Sequence, residues 1–166
     1  MRVIVSDTSC IIDLHKAALL EEFVTLPYTV VMPLPLFEDE ALSLSRDTKN
    51  RLQALGLEVI NVSSEGVTKA MRYANKYSAL MVNDCFALVV AEDTEQSILL
   101  TGDKRLKNVA IDHGIDTHGV LWATDEMFEH DCCPINKLYD GLNRLHDDPL
   151  VFIPGDLIRA RIRKYQ

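Results

Sequence analysis

Apolar positions along the chain follow two periods in turn. Val3 to Ser6 is a short β-branched run, and Asp7-Thr8-Ser9, residue types that cap helices, stand directly before Cys10-Ile11-Ile12-Asp13-Leu14. That pattern predicts a strand, a turn and a helix. A second burst, Thr29-Val30-Val31-Met32, ends at Pro33 and Pro35, after which Phe37, Ala41, Leu44, Thr48, Leu52 and Leu55 recur at helical spacing. A second strand feeding one long helix is expected there, with Gly56 as its stop. Leu57 to Val62 alternates as a third strand, and Ser63-Ser64-Glu65 opens a helix running to about Tyr77. Asn83-Asp84 starts an apolar helix through Ala91, Ser97 to Thr101 reads as strand four, Asp103 opens a helix to about His113, and a fifth, weaker strand covers Ile115 to His118.

Strands separated by helices of this length need crossover connections, and these build a parallel sheet covered on both faces. The expected fold class is therefore α/β, a three-layer α/β/α sandwich on a central parallel sheet of four to five strands. Beyond Gly119, helices over Val120 to Glu129, Asn136 to His146 and Asp156 to Lys164 are joined through Pro134, Pro149 and Pro154. They read as a cap or association surface. The whole of 1–166 is expected to form one domain, with a core at about 1–119 and a helical extension at about 120–166, because a chain of this length supports one substantial core.

Charge narrows the function classes. With a net charge of -8 the chain is not expected to hold nucleic acid through overall electrostatic attraction. A pocket of carboxylates can nonetheless serve a polyanionic substrate, since bound divalent cations reverse its local sign. No apolar run approaches the ~18 residues that cross a bilayer, and Asp7 and Asp13 interrupt the only apolar start, so a soluble, cytoplasmic protein without membrane contact is expected. Cys10, Cys85, Cys132 and Cys133 lack the spacing of a metal knuckle and read as reduced thiols; His113, His118 and His130 have no partner at ligand spacing.

The candidate chemistry lies in the acids. In open α/β sheets ligands bind outside the carboxyl ends of the strands, where Asp7 and Asp103 are expected; Asp84, opening the helix before strand four, would bring a third carboxylate to the same crevice. Each alone is more simply read as a helix-capping or first-turn acid. Together they would repel one another unless a cation neutralised them, and hard oxygen donors suit Mg²⁺ or Mn²⁺. A fourth acid is expected from Glu38-Asp39-Glu40. Glu38 and Glu40 flank the apolar face of Phe37, Ala41 and Leu44 at nearly equal angles, so the pattern leaves open which one looks inward.

The order of four motifs resembles the PIN-domain family across nearly the whole chain: Val3-Ile4-Val5-Ser6-Asp7-Thr8-Ser9, Phe37-Glu38-Asp39-Glu40, Asn83-Asp84-Cys85-Phe86-Ala87-Leu88, and Leu100-Thr101-Gly102-Asp103. The family's hydrophobic-x-x-Glu pattern favours Glu40 over its alternate Glu38. The resemblance implies a metal-dependent endoribonuclease in which Asp7, Glu40, Asp84 and Asp103 hold Mg²⁺ or Mn²⁺ and carry the catalysis, leaving a 5′-phosphate on the product. Thr8, Ser9 and Thr101 would orient these carboxylates, and Lys104, Arg105 and Lys107 would hold phosphates of the RNA. Small members of the family include the VapC-like toxins of toxin–antitoxin pairs, so an antitoxin protein and a homo-oligomer are the partners implied.

Two other readings stand beside this one. A non-catalytic PIN-like module that binds RNA or protein would carry the same fold. A receiver-like phosphoacceptor domain also gathers acids at a sheet edge, but its phosphoacceptor would end strand three, where this chain has Asn61-Val62-Ser63.

Overall fold

The structure, a computed structural model, describes residues 1–166 apart from the side chain of Glu40. Five strands form one sheet in the order β3-β2-β1-β4-β5: β1 (Val3–Ser6), β2 (Thr29–Pro33), β3 (Glu58–Ile60), β4 (Ser97–Leu100) and β5 (Asp116–His118). Every neighbouring pair is parallel. The two central strands are the most apolar, as burial on both faces requires: Ile4, Val5, Ile98, Leu99 and Leu100 are all fully buried.

Helices cover both faces of the sheet. On one, α5 (Val82–Asp93) lies across β1, β2 and β4, with α4 (Ser64–Lys76) and α6 (Lys104–Asp112) beside it. The other layer holds α1 (Thr8–Lys16), α2 (Leu20–Val24), α3 (Arg46–Leu55) and α7 (Val120–Glu129), each packed on at least one of its neighbours. The α/β/α sandwich expected from the alternation of periods is therefore the observed fold. Two further helices, α8 (Ile135–Asp147) and α9 (Gly155–Lys164), pack on each other, and α8 also packs on α1.

Two elements differ from expectation. The long helix after β2 is broken: a π-helical turn at Leu36–Glu40 is followed by irregular backbone, and α3 starts only at Arg46. Where the helix restarts, the Ser45 hydroxyl accepts from the Thr48 amide and so caps a new helix inside the apolar repeat. The second difference is α2, five residues long and too short to show a period; it is set off from α1 by Ala18, whose φ of 56° turns the chain through the left-handed region.

The connectivity marks one place on the sheet. From β1 the chain moves outward through β2 to β3, and from β4 it moves the other way to β5, so the strand order reverses between β1 and β4. A crevice opens at such a switch point, at the carboxyl ends of the strands. The residues following those two strands are Asp7 and Thr101.

Candidate active site

Asp7 leaves β1 with its amide donated to the Leu100 carbonyl, 2.9 Å away, so the sheet hydrogen-bonding of β1 to β4 carries on one residue past the strand. Its side chain is only 5% exposed. One carboxylate oxygen, Oδ1, accepts from the Thr8 amide at 2.8 Å at the start of α1, and the other, Oδ2, accepts from the hydroxyls of Thr101 at 2.9 Å and Ser9 at 3.1 Å. Ser9 Oγ in turn accepts from the Gly102 amide at 3.1 Å. Two hydroxyls from two chain segments thus hold one carboxylate across the switch point.

Thr101 extends this network to the next acid. Its hydroxyl also accepts from the Asp103 amide at 3.1 Å, so a single oxygen ties Asp7 to the backbone of Asp103. Asp103 caps α6 by accepting from the Arg105 amide at 2.8 Å, and the Arg105 guanidinium lies along the same carboxylate. Asp84 sits in the first turn of α5, where its Oδ2 accepts from the Met81 amide at 2.8 Å. All three acids thus accept from backbone amides at helix starts, and Asp7 and Asp103 stand just beyond the carboxyl ends of the neighbouring strands β1 and β4.

The electrostatics connect the three aspartates. Burial pushes the Asp7 carboxyl up to about 6; the Thr101 hydrogen bond opposes the rise, the negative charge of Asp84 adds to it, and the bonds from Thr8 and Ser9 lower it again. Arg105 feels first Asp103 and then, more weakly, Asp84, both of which favour its charged form. Its hydrogen bonds likewise hold Asp103 below the usual carboxylate range. One cluster of negative charge, partly offset by one guanidinium, follows from these couplings.

Among the described residues, no three acidic, histidine or cysteine side chains converge closely enough to enclose an ion. The physical reason is visible in the bonds above: Asp103 is turned to Arg105, and Asp84 to the start of its own helix. The donor set nevertheless fits a hard divalent cation. It consists of carboxylate oxygens, and the Asp7 carboxyl is raised first by burial and further by the charge of Asp84, a repulsion that a cation would relieve. Ionised carboxylates accept several hydrogen bonds each, so the bonds already made to Asp7 leave its oxygens with further capacity.

The remaining predicted residues fall as follows. Glu40 lies outside the described residues. Its alternate, Glu38, is exposed and lines a groove with Phe37, Leu44, Arg46, Lys49, Asn50 and Gln53. Thr8 is buried at the start of α1. Lys104 and Lys107 are exposed on α6, whereas Arg105 is occupied by Asp103. On α9, Arg161 pairs with Asp125 at 2.8 Å and Lys164 with Glu129 at 3.8 Å, which ties α9 to α7. All four cysteines are free thiols, three of them buried. No helix among the described residues is long and apolar enough to cross a membrane.

A groove next to the acids was not foreseen. Ser9, Ile12, Asp13 and Lys16 of α1 face Leu150, Phe152 and Ile153 across it, and Gly102 closes one end. Positions 9, 12, 13 and 16 share one helical face, so their grouping was available from the spacing. The segment at 150–153 lies between prolines and carries no period to place it.

A protein-family model described as a PIN domain matches residues 3–166. No curated protein matches the chain.

Proposed function

The chain belongs to the PIN-domain family, whose members are generally nucleases that use divalent metals, and from that premise we propose that it is a metal-dependent endoribonuclease acting through Asp7, Asp84, Asp103 and Glu40. The observation that carries the proposal is the bridge from Asp7 through the Thr101 hydroxyl to Asp103 at the β1–β4 switch point, with the charge of Asp84 acting on Asp7.

The chain's own residues have distinct tasks in this reading. Asp7, Asp84 and Asp103 would hold Mg²⁺ or Mn²⁺, with Glu40 as the fourth acid and Glu38 as its alternate. When bound, the cation supplies Lewis acidity and offsets charge on the scissile phosphodiester. Thr101 and Ser9 fix the Asp7 carboxylate from two sides, and Thr8 fixes it from the backbone, so little reorganisation is needed when a ligand arrives. Asp7 titrates at about 6, so at neutral pH it is an ionised carboxylate more basic than an exposed aspartate. Lys104 and Lys107, exposed one turn into α6, are suited to phosphates flanking the cleft. Arg105, paired with Asp103, would compete with a cation there and, when displaced, would be available to the same phosphates.

The finer biological role proposed is that of a cytoplasmic toxin in a toxin–antitoxin pair, with an antitoxin protein as partner. Support for it comes from the resemblance to small VapC-like relatives and from the net charge of -8, which complements a basic antitoxin tail. Expression of the chain alone should arrest growth with loss of intact RNA; unchanged growth and intact RNA would argue against this role.

The test of the activity is cleavage of a single-stranded RNA. Wild-type protein with Mn²⁺ should generate fragments carrying a 5′-phosphate, and both Asp7→Asn and Asp103→Asn should lower the rate by at least about a hundredfold. A folded wild-type protein that binds RNA and leaves it intact would favour the non-catalytic reading instead.

A further inference from the structure

Phe152 is 93% exposed and Leu150 69% exposed, both on the segment joining α8 to α9. This segment is anchored. Asp148 pairs with Lys16 of α1 at 3.3 Å, its carboxylate accepts from the Leu150 amide at 2.8 Å, and its carbonyl accepts from the Val151 amide at 3.1 Å. The result is a groove of about 240 Å³ with Ile12, Leu150, Phe152 and Ile153 as apolar lining, Asp13 as its acidic member and Lys16, paired with Asp148, as its basic one. It is continuous with the aspartate cluster, because Ser9 and Gly102 line one end, and Ser9 donates to Asp7.

We propose that this groove receives one unpaired nucleobase of the RNA, stacked on Phe152, next to the phosphate that would meet a cation held by Asp7 and Asp103. The inference rests on the nuclease reading and adds to it a subsite for one base beside the cleaved bond. Charge selects the occupant. Lys16 lines the groove but its charge is paired with Asp148, which leaves Asp13 as the unbalanced charge against a phosphate, whereas a neutral base offers a π face to Phe152 and an amino edge that can donate to the Asp13 carboxylate. Size agrees, because the groove suits one ring system and is far smaller than the trough required by a partner helix about 10 Å across with its side chains. A base locked in a duplex presents no free face to stack, so the groove discriminates by strandedness, with the base type left to the edge that meets Asp13.

The experiment is a two-by-two comparison of wild type and Phe152→Ala on a single-stranded RNA and on the same RNA carrying one abasic residue beside the mapped cleavage position. On intact RNA, Phe152→Ala should lower kcat/KM by roughly tenfold, mainly through KM, and Phe152→Trp should restore it. On the abasic RNA, wild type and Phe152→Ala should cleave alike. An unchanged thermal midpoint is expected for Phe152→Ala, since the side chain it removes lies in solvent. Equal cleavage of intact RNA by both proteins would overturn the base site and leave the nuclease reading standing. An equal loss on both RNAs, or a change of oligomeric state in Phe152→Ala, would also overturn it, the latter assigning the groove to a protein partner. A wild type that cleaves neither RNA would remove the nuclease reading and this inference together.

Discussion

Arg105 lies along Asp103, with its Nη2 2.9 Å from one carboxylate oxygen and its Nε 3.2 Å from the other. Both residues belong to the start of α6, so the pair forms within a single helical turn. The guanidinium is 61% exposed and the pair is screened by water, so it holds Asp103 weakly. It also supplies positive charge at the position where the proposed function needs a cation.

Competition follows from that placement. Arg105→Ala should tighten Mn²⁺ binding to the RNA-free protein by roughly two- to fivefold, the range expected for an exposed ion pair. Calorimetric titration checks it, and weaker binding in the variant would mean that Arg105 supports the cation site instead of occupying it.

Asp7 gives a pH dependence to the metal-free protein. Its carboxyl is raised, chiefly by burial, from 3.8 to about 6, so the folded chain binds this proton more tightly than the unfolded chain does. The contribution to stability is complete below about pH 4 and is lost as the pH rises through 6. A cation requires the carboxylate, so its stabilising effect runs in the opposite direction. The rise in thermal midpoint produced by saturating Mn²⁺ should therefore grow between about pH 5 and pH 7.5, and Asp7→Asn should flatten it. Thermal melts with chelator and with Mn²⁺ at each pH are the measurement.

Thr101 serves two acids with one oxygen. Thr101→Val keeps the shape, takes one donor from Asp7 and leaves the Asp103 amide without its acceptor. A loss of about 1–3 kcal/mol in urea denaturation is expected, since buried polar groups are left unsatisfied. Cleavage should fall with it, and restoration by Thr101→Ser would separate the hydroxyl from the methyl.

Much of this was legible in the chain for a physical reason. The β-branched runs at Val3–Val5 and Thr29–Met32 and the apolar face of α5 are set by burial, which follows local period. The positions of Asp7 and Asp103 were legible because an acid at a helix start that follows a strand also marks the strand end in a parallel sheet; Asp84, in a helix that follows another helix, was legible only as a first-turn acid. The break at Ala41–Ser45 was not, because a serine cap inside an apolar repeat competes with the helix only once the tertiary contacts decide between them. The pairing of Arg105 with Asp103 was missed because residues two apart do not meet on a helix face; they meet here because Asp103 precedes the helix as its cap. Phe152 was missed because only the fold brings its loop to α1.

Among the contacts that join the C-terminal helices to the rest is a close approach at the end of α1. A Cβ on Gly141 of α8 would stand 2.8 Å from the Ala17 carbonyl and 2.8 Å from a methyl of Leu19. The methyl can yield and the backbone carbonyl cannot do so cheaply. Gly141→Ala should lower stability by about 1–3 kcal/mol. Unfolding of both proteins should remain a single transition, as expected if α8 is part of one domain; a separate early transition would mark the C-terminal helices as an independent unit.

The account depends most on whether the aspartates share one divalent ion. Mn²⁺ titrated into the RNA-free protein and followed by calorimetry or by the electron-spin signal of the free ion tests this without any assay of cleavage. Saturable binding is predicted in the wild type, weakened by tenfold or more in each of Asp7→Asn, Asp84→Asn and Asp103→Asn while the fold is kept. Affinity unchanged by these substitutions, or no binding in the wild type, would contradict it.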